Sequence, residues 1–328
     1  MRELSFVEAI NEALKEEMRR DDRVFIMGED VRVGYGGGGI FGATKDLFKE
    51  FGAERVINTP LSEIAISGVA AGAALVGVRP VAEIMFADFM AVCMDQIVNQ
   101  ASKFRWAYGG KKSVPVVYRA AFGAGVGATC HHSQSVESWF MNTPGLIVVM
   151  PSTPYDAKGL LKSAIRDEDP VVFFEHKLLY RSAKGSVPEG EYLIPLGKAD
   201  IKREGRDISV IATGAMVHQA LSAAEILMKE DISVEVIDPM TLLPLDTKTI
   251  IESVKKTSKV IIVHEAPVTG GIGGEISAIL AEEALGYLDA PIRRIGAPFC
   301  PVPGNRQLEQ HYLPKAENIV TACMGMLR

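Results

Sequence analysis

The chain has 328 residues, a net charge of −6, and 48% hydrophobic against 23% charged residues. This length predicts about two domains, and the composition is that of an ordinary globular protein, which excludes a chain that is disordered throughout. The acidic balance argues against nucleic acid as a main partner, because neutralising phosphates requires a basic surface.

The first half of the chain alternates short apolar runs, rich in β-branched residues, with stretches of helical periodicity. The runs predict strands at 24–28, 55–58, 80–85, 115–118, 146–150 and 171–174. The helical patterns lie at 5–18, 61–75, 89–104 and 155–165. Ser5 followed by Glu8 is the pattern of a capping box and marks the start of the first helix. Strands that are apolar on both faces and alternate with helices indicate a parallel sheet covered on both sides.

A glycine- and proline-rich stretch from 181 to 195 interrupts this alternation and is typical of a linker. Beyond it the pattern resumes, with predicted strands at 208–212, 233–238, 259–264 and 292–295 and predicted helices at 217–228, 247–257 and 275–284. We therefore predict an α/β fold of two domains, each with a mostly parallel sheet covered by helices. The predicted boundaries are a first domain over 1–185, a linker over 186–200 and a second domain over 201–328.

The four cysteines, Cys93, Cys130, Cys300 and Cys323, form no C-x-x-C pair and suggest no disulfide framework. Reduced thiols in a cytoplasmic protein are the simplest interpretation. The first residues lack the apolar core of a signal peptide, and no apolar run is long and uncharged enough for a membrane span. We therefore expect a cytoplasmic protein with neither a membrane nor a nucleic-acid partner.

Glu63 is the only formally charged side chain between Asn58 and Val78. It lies in the first turn of the helix predicted at 61–75, whose other residues are small or apolar on every side, so we expect this helix to be buried. Its glycines and alanines permit another helix or another chain to approach closely. One interpretation of Glu63 is a carboxylate that stabilises its own helix N-terminus. The other is a buried carboxyl that shares a proton with a ligand nitrogen.

His131 and His132 end a glycine-rich segment that follows the strand predicted at 115–118. No formal charge lies between Arg119 and Glu137. Such a segment suits a ligand that approaches the backbone closely, with histidine as an acid or a base. Two other interpretations are histidines that cap a helix and a metal pair of Cys130 with His132, although no downstream residue completes a known zinc spacing.

In combination and in order, these segments resemble the β subunits of the E1 components of 2-oxo acid dehydrogenases, which are transketolase-like thiamine-diphosphate enzymes. The resemblance extends over essentially the whole chain. Its carriers are Gly28-Glu29-Asp30-Val31, Asn58-Thr59-Pro60-Leu61-Ser62-Glu63, Gly77-Val78-Arg79-Pro80, His132-Ser133-Gln134-Ser135, Pro144-Gly145-Leu146, Asp156-Ala157-Lys158-Gly159-Leu160, Asp238-Pro239 and Tyr312-Leu313-Pro314. It implies that the first domain is a pyrimidine-binding domain and that the second is similar to the transketolase C-terminal domain.

The resemblance also implies roles for individual side chains. Glu63 matches the glutamate that hydrogen-bonds the N1′ nitrogen of the cofactor's aminopyrimidine ring, where proton sharing promotes removal of the thiazolium C2 proton. Leu61, Met85 and Phe89 match residues around the pyrimidine. His132, with His131 as its alternative, matches the active-site histidine. Backbone oxygens that match a structural potassium site belong to Val116, Ala164, Ile165, Asp167 and Asp169.

A second chain is implied as well. The family's diphosphate and magnesium motif begins Gly-Asp-Gly, and this sequence contains no Gly-Asp-Gly. A separate E1 α subunit should therefore hold the diphosphate and Mg²⁺, so that thiamine diphosphate is shared within an α2β2 heterotetramer. The second domain of this chain would then serve assembly and docking to the E2 lipoyl acyltransferase.

The implied reaction is the cleavage or oxidative decarboxylation of a small 2-oxo acid or acetoin, with transfer of the acyl group to a lipoyl arm of E2. Acetoin and pyruvate are the leading substrates, and segments such as 85–89 and 195–199 are most similar to acetoin dehydrogenase β chains. The alternatives are a branched-chain 2-oxo acid dehydrogenase β subunit and a non-catalytic scaffold of the same fold. A self-contained enzyme of transketolase type would need Gly-Asp-Gly in this chain.

Overall fold

The computed structural model describes residues 1–34 and 38–327. From the N-terminus to Val187 the elements are β1 Arg2–Ser5, α1 Phe6–Arg20, β2 Val24–Gly28, α2 Leu47–Phe51, β3 Val56–Asn58, α3 Glu63–Leu75, β4 Arg79–Ile84, α4 Ser102–Ala107, β5 Val117–Phe122, α5 Ser138–Met141, β6 Ile147–Val149, α6 Pro154–Arg166, β7 Val171–His176, α7 Leu179–Ser182 and β8 Lys184–Val187. From Asp200 onward they are β9 Asp200–Arg203, β10 Ile208–Ala212, α8 Met216–Met228, β11 Val234–Asp238, β12 Thr241–Leu243, α9 Thr247–Thr257, β13 Val260–Pro267, α10 Ile272–Glu283, β14 Arg293–Ala297, α11 Arg306–Tyr312 and α12 Ala316–Leu327.

These elements belong to two compact units. Unit 1 comprises Met1–Phe122 and Trp139–Leu196, and unit 2 comprises Gly123–Ser138 and Gly197–Arg328. The short segment Gly123–Ser138 contains both neighbouring histidines, so the histidines belong to unit 2 although the strand before them belongs to unit 1.

Unit 1 is built on parallel strands in the order β6, β7, β5, β4, β2, β3. Every residue of β5 and β7 is buried, as expected for strands that are covered on both faces. β1 and β8 form a separate antiparallel pair. The parallel sheet predicted from the apolar runs is therefore confirmed.

The first helix begins where the sequence predicts. The Glu8 carboxylate accepts hydrogen bonds from the backbone nitrogen of Ser5 at 2.8 Å and from its hydroxyl at 2.6 Å. This arrangement satisfies an amide that the start of a helix leaves without a partner. The predicted capping box is confirmed.

The segment after β4 differs from its prediction. The prediction of a single helix over 89–104 is wrong. The chain instead forms a 3₁₀ helix at Ala87–Ala91, a π-helix at Gln96–Ala101 and then α4. The buried residues that produced the helical pattern are Met90, Cys93, Ile97 and Ala101. Their spacing of three and four residues is met by the three short pieces together, because apolar periodicity does not distinguish one hydrogen-bond pattern from another.

Helix α3 is buried on one face only. Ile66, Ser67 and Ala70 lie in the core, and the Tyr118 hydroxyl donates to the Ser67 carbonyl oxygen at 3.2 Å. The opposite face exposes an apolar stripe of side chains: Ile64 is 51% exposed, Val69 57% and Val76 81%. The expectation that this helix is buried on every side is therefore wrong for the single chain. An apolar helix is buried on both faces only when other elements or another chain pack against each face.

Unit 2 has strands in the order β14, β13, β10, β11, β9. The first four are parallel to one another, and β9 is an edge strand that runs antiparallel to β11. Helices and strands alternate along the chain here as predicted. None of the helices over 1–34 and 38–327 is long and apolar enough to cross a membrane.

Candidate active site

Three neighbouring strands of unit 1 end at the same edge of the sheet. β4, β2 and β3 lie side by side and end at Ile84, Gly28 and Asn58. Ligands of parallel sheets bind at the carboxyl ends of the strands. The residues that follow these ends are Glu29, the 59–63 segment that leads into α3, and the segment from Met85 to Phe89.

The structure therefore brings four predicted site residues to one edge, in different degrees of exposure. Glu63 is the first residue of α3 and is half-buried. Met85 and Phe89 are also half-buried. Leu61 is 82% exposed, so within this chain it packs against little.

A second carboxylate, Glu29, lies near Glu63. It is 3% exposed, and its Oε1 atom has no hydrogen-bond partner among the described residues. Burial, together with the negative charges of Glu63 and Asp30, raises the pKa of Glu29 to about 7. Two carboxyl groups that share a poorly solvated site do not both ionise readily, which is the direction of the shift of Glu29.

Unpaired polar atoms also occur on the segments next to this pair. Besides Glu29 Oε1, the Thr59 Oγ1 and Gln96 Oε1 atoms are buried without a hydrogen-bond partner in the part of the chain that the structure describes. Gln96 packs on α3, where a Cβ atom at Gly68 would lie 3.5 Å from Gln96 Cγ. Because a buried polar atom without a partner costs about 1–3 kcal/mol, a polar heterocycle placed here would be favoured. The residues present fit an aminopyrimidine ring.

Sequence alone assigns no role to Glu29 or Gln96. Glu29 carries a usable signal, since it is a charged residue directly after a buried strand and therefore at the edge where ligands bind. Gln96 carries none, because a polar residue within a helical pattern is ordinarily solvated.

The histidine loop, which we define as Gly123–Ser138, lies in unit 2. His131 is exposed, His132 is half-buried and Ser133 is fully buried. Helix α5 begins only at Ser138, so the interpretation of these histidines as helix caps is wrong. Glu63 belongs to unit 1 and His132 to unit 2.

The side chains of the histidine loop lie as follows. Cys130 Sγ lies 3.6 Å from the Nδ1 atom of His131. No cluster of three or more histidine, cysteine, aspartate or glutamate side chains that could hold a metal occurs within 1–34 and 38–327.

Glu137 makes the stability of unit 2 depend on pH. The side chain is 1% exposed, and burial, reinforced by the charge of Glu265, raises its pKa to about 7. The folded state therefore keeps a proton that the unfolded state releases near its ordinary pKa of 4.5. Where the folded state binds more protons, stability falls as pH rises, here between about 4.5 and 7.

We expect Glu137→Gln to remove this contribution. The unfolding free energy of the variant minus that of the wild type should be larger at pH 8 than at pH 5. The size of the pKa shift limits this increase to about 3 kcal/mol. Thermal unfolding midpoints of both proteins at the two pH values measure the effect, with the exposed Glu282→Gln as the control. Equal pH dependence of the wild type and Glu137→Gln would contradict the assignment.

The predicted potassium residues lie at the C-terminal end of α6, in the segment that follows it and directly before β5, all in unit 1. Arg79 Nη1 donates to the carbonyl oxygens of Ile165 at 3.0 Å and Asp167 at 2.8 Å. Val116 O accepts from Val171 N at 2.9 Å, and Ala164 O accepts from Asp167 N at 3.3 Å.

The side chain of Asp169 accepts a hydrogen bond from Arg105 at 2.7 Å. A carbonyl oxygen has two lone pairs, so those that accept one hydrogen bond keep a lone pair for a cation. Two of the five predicted oxygens, those of Ile165 and Asp167, already accept from the guanidinium group of Arg79, whose positive charge would oppose a cation beside it.

Comparison with known proteins covers nearly the whole chain. The transketolase pyrimidine-binding domain matches residues 2–183, and the transketolase C-terminal domain matches residues 197–319. The 2-oxoisovalerate dehydrogenase subunit beta of Bacillus subtilis is 51% identical over 320 residues, with 97% of each chain covered. The acetoin:2,6-dichlorophenolindophenol oxidoreductase subunit beta of Cupriavidus necator is 50% identical, with 100% of this chain and 98% of that protein covered. The pyruvate dehydrogenase E1 component subunit beta of Bacillus subtilis is 47% identical, with 100% and 99% covered.

A solved structure agrees with these matches. A split gene transketolase, described as an inactive β4 tetramer, superimposes with a TM-score of 0.79 at 26% identity and covers 99% of this chain and 98% of its own. The predicted fold class, two transketolase-like domains with mostly parallel sheets covered by helices, is confirmed. The predicted family is confirmed as well: this chain belongs to the transketolase-like family that includes the β subunits of these dehydrogenases.

Proposed function

We propose that this chain is the β subunit of a thiamine-diphosphate-dependent E1 component, which cleaves or oxidatively decarboxylates a 2-oxo acid or acetoin and passes the acyl group to a lipoyl arm of E2. The observation that carries the proposal is the pair of neighbouring carboxyl groups, Glu29 and Glu63, at the carboxyl edge of the unit 1 sheet. Burial, together with the charges of Glu63 and Asp30, raises the pKa of Glu29 to about 7, as expected for a carboxyl group in a poorly solvated site. The matches to three dehydrogenase β subunits support the reaction class.

In this proposal each side chain acts on a different part of the site. Glu63 shares a proton with the N1′ nitrogen of the aminopyrimidine ring, which a carboxyl group does well because it both donates and accepts. Met85 and Phe89 contact the ring, and Leu61 covers its edge. His132 moves a proton during transfer of the acyl group to the lipoyl arm. Thiamine diphosphate, when bound, supplies the carbon nucleophile that attacks the substrate carbonyl.

The proposal requires a second chain. This sequence has no Gly-Asp-Gly motif for the diphosphate and Mg²⁺, so an E1 α subunit supplies those ligands in an α2β2 assembly. The exposed apolar stripe of α3, which begins directly after Glu63, supports the presence of a covering chain, because monomers seldom leave such a face in water. Unit 2 would serve assembly and docking to E2. Potassium held by the backbone oxygens of Val116, Ala164, Ile165, Asp167 and Asp169 would be structural.

The substrate is a small 2-oxo acid or acetoin. Relatives named for 2-oxoisovalerate, acetoin and pyruvate are 51%, 50% and 47% identical to this chain, and these differences are too small to separate the three. Direct comparison of kcat/KM for the three substrates identifies the one that this chain serves.

The test is reconstitution. The chain alone is expected to show no turnover, whereas addition of the matching α subunit, thiamine diphosphate and Mg²⁺ should give release of CO₂ from a 2-oxo acid or cleavage of acetoin. Calorimetric titration with thiamine diphosphate in the presence of the α subunit checks binding independently of turnover. Absence of binding there would indicate the alternative, a non-catalytic scaffold of the same fold.

A further inference from the structure

The backbone of the histidine loop adopts conformations that cost free energy unless other interactions stabilise them. Gly123, Gly125 and Gly127 have φ values of 88°, 100° and 76°, and Thr129 has a φ of 66°. A residue with a side chain adopts such left-handed values only at a cost, and glycine loses much conformational freedom when held in one state. Four such residues at alternate positions therefore need interactions from outside the segment to keep one conformation.

One buried carboxylate binds the first half of the loop. Glu309 accepts hydrogen bonds from Gly125 N at 2.8 Å through Oε1 and from Gly127 N at 2.9 Å through Oε2. The side chain is only 2% exposed, although it is charged. Hydrogen bonds that end on a charged group are stronger than those between neutral groups, and this carboxylate uses both of its oxygens on one peptide segment.

A second carboxylate joins the two ends of the loop. Glu265 Oε1 accepts from Ala124 N at 2.6 Å and from the Ser135 hydroxyl at 3.0 Å. Ala124 and Ser135 flank the histidines on either side. Glu265 therefore holds the loop closed at its base, while Glu309 fixes the glycines between that base and Thr129.

The packing around Glu309 leaves little freedom. Helix α11, which contains Glu309, ends in Tyr312, and Tyr312 packs in a buried cluster with Ala124 of the loop. Arg306, in the first turn of the same helix, lies so close to Gly127 that a Cβ atom there would be 2.7 Å from its Nε. Both ends of α11 therefore pack against the loop.

We propose that Glu309 and Glu265 are positioning residues, which hold the backbone of the histidine loop so that His132 is presented in one orientation. The part that concerns catalysis rests on the proposed function. This assigns to unit 2 a role beyond assembly and docking: its strand β13 and helix α11 set the geometry of a loop that begins where β5 of unit 1 ends.

Amide hydrogen exchange of the full chain tests the anchoring without any activity. In Glu309→Gln one of the two glycine amides faces an amide group that cannot accept, so exchange at Gly125 and Gly127 should be at least about tenfold faster. Exchange in the core strand β10 should not change, and the matched variant Glu282→Gln should behave as the wild type. Unchanged exchange in the loop, or equal acceleration throughout unit 2, would overturn the proposal.

Kinetics of the reconstituted enzyme test the catalytic part. Glu309→Gln should lower kcat by about tenfold with KM within about twofold, since a displaced histidine affects proton transfer more than binding. Glu309→Asp keeps a carboxylate on a shorter side chain, so its kcat should lie between those of the wild type and Glu309→Gln. It replaces Glu309→Gln in the test if that variant does not fold. A loosened loop with unchanged kcat would refute the positioning role, whereas an inactive wild type with accelerated exchange in Glu309→Gln would refute only the proposed function.

Discussion

Replacing Glu63 with glutamine is expected to lower kcat of the reconstituted enzyme by about 10²- to 10³-fold, the usual contribution of a positioned acid or base. Glutamine is close in size and keeps polar atoms at the N-terminus of α3, but it cannot exchange a proton with a ring nitrogen. The neighbouring Glu29 does not replace it, because Glu29 follows another strand and lies deeper, at 3% exposure. Turnover with saturating thiamine diphosphate measures the effect.

The simpler interpretation of Glu63 gives a different result. A carboxylate that only stabilises its helix N-terminus contributes about 0.3–1 kcal/mol to stability and nothing to turnover. Glu275, exposed in the first turn of α10, has that position without the site, so Glu275→Gln is the matched control. If the two variants lose similar small amounts of stability and both retain near-normal turnover, the proposed role of Glu63 is wrong.

Much of the fold follows from local patterns. The run predicted at 24–28 is strand β2 to the residue, and the run predicted at 171–174 extends only to His176 in β7. Strands that are buried on both faces give continuous apolar runs that few other structures produce. The antiparallel edge strand β9 carries no such run, since its residues are exposed or half-buried, and it escapes prediction for that reason.

The site could be predicted only in part. Glu63 is recognisable because a lone charge stands in an apolar helix, which is a local signal. The proximity of Glu29 depends on the order of β2 and β3 in the sheet, which no local pattern gives. The anchors of the histidine loop are still further away: Glu265 and Glu309 lie 141 and 184 residues beyond the amides they bind. Glu309 has the sequence environment of an ordinary surface glutamate, and Glu265 follows an apolar run that does not indicate which segment it binds.

A buried ion network on the inner strands β4, β5 and β7 of unit 1 should contribute strongly to stability. Arg119 in β5 is 1% exposed and donates to Glu175 at 2.6 and 2.7 Å and to Glu83 at 2.8 Å. The Tyr180 hydroxyl also donates to Glu175, at 2.6 Å. Burial raises the pKa of Glu83, and the charge of Arg119 opposes that effect. Two carboxylates therefore depend on one guanidinium group.

Arg119→Met should accordingly destabilise the protein by about 3–5 kcal/mol at pH 8, because removing one partner leaves buried charge without compensation. The exposed pair of Arg19 with Glu50 provides the control, and Arg19→Met should cost no more than about 1 kcal/mol. Protonation relieves the abandoned carboxylates, so the gap between Arg119→Met and the wild type should narrow at pH 5. Thermal unfolding at both pH values measures these differences. A loss for Arg119→Met that equals that of Arg19→Met, or that is the same at both pH values, would show that the network does not depend on its central charge.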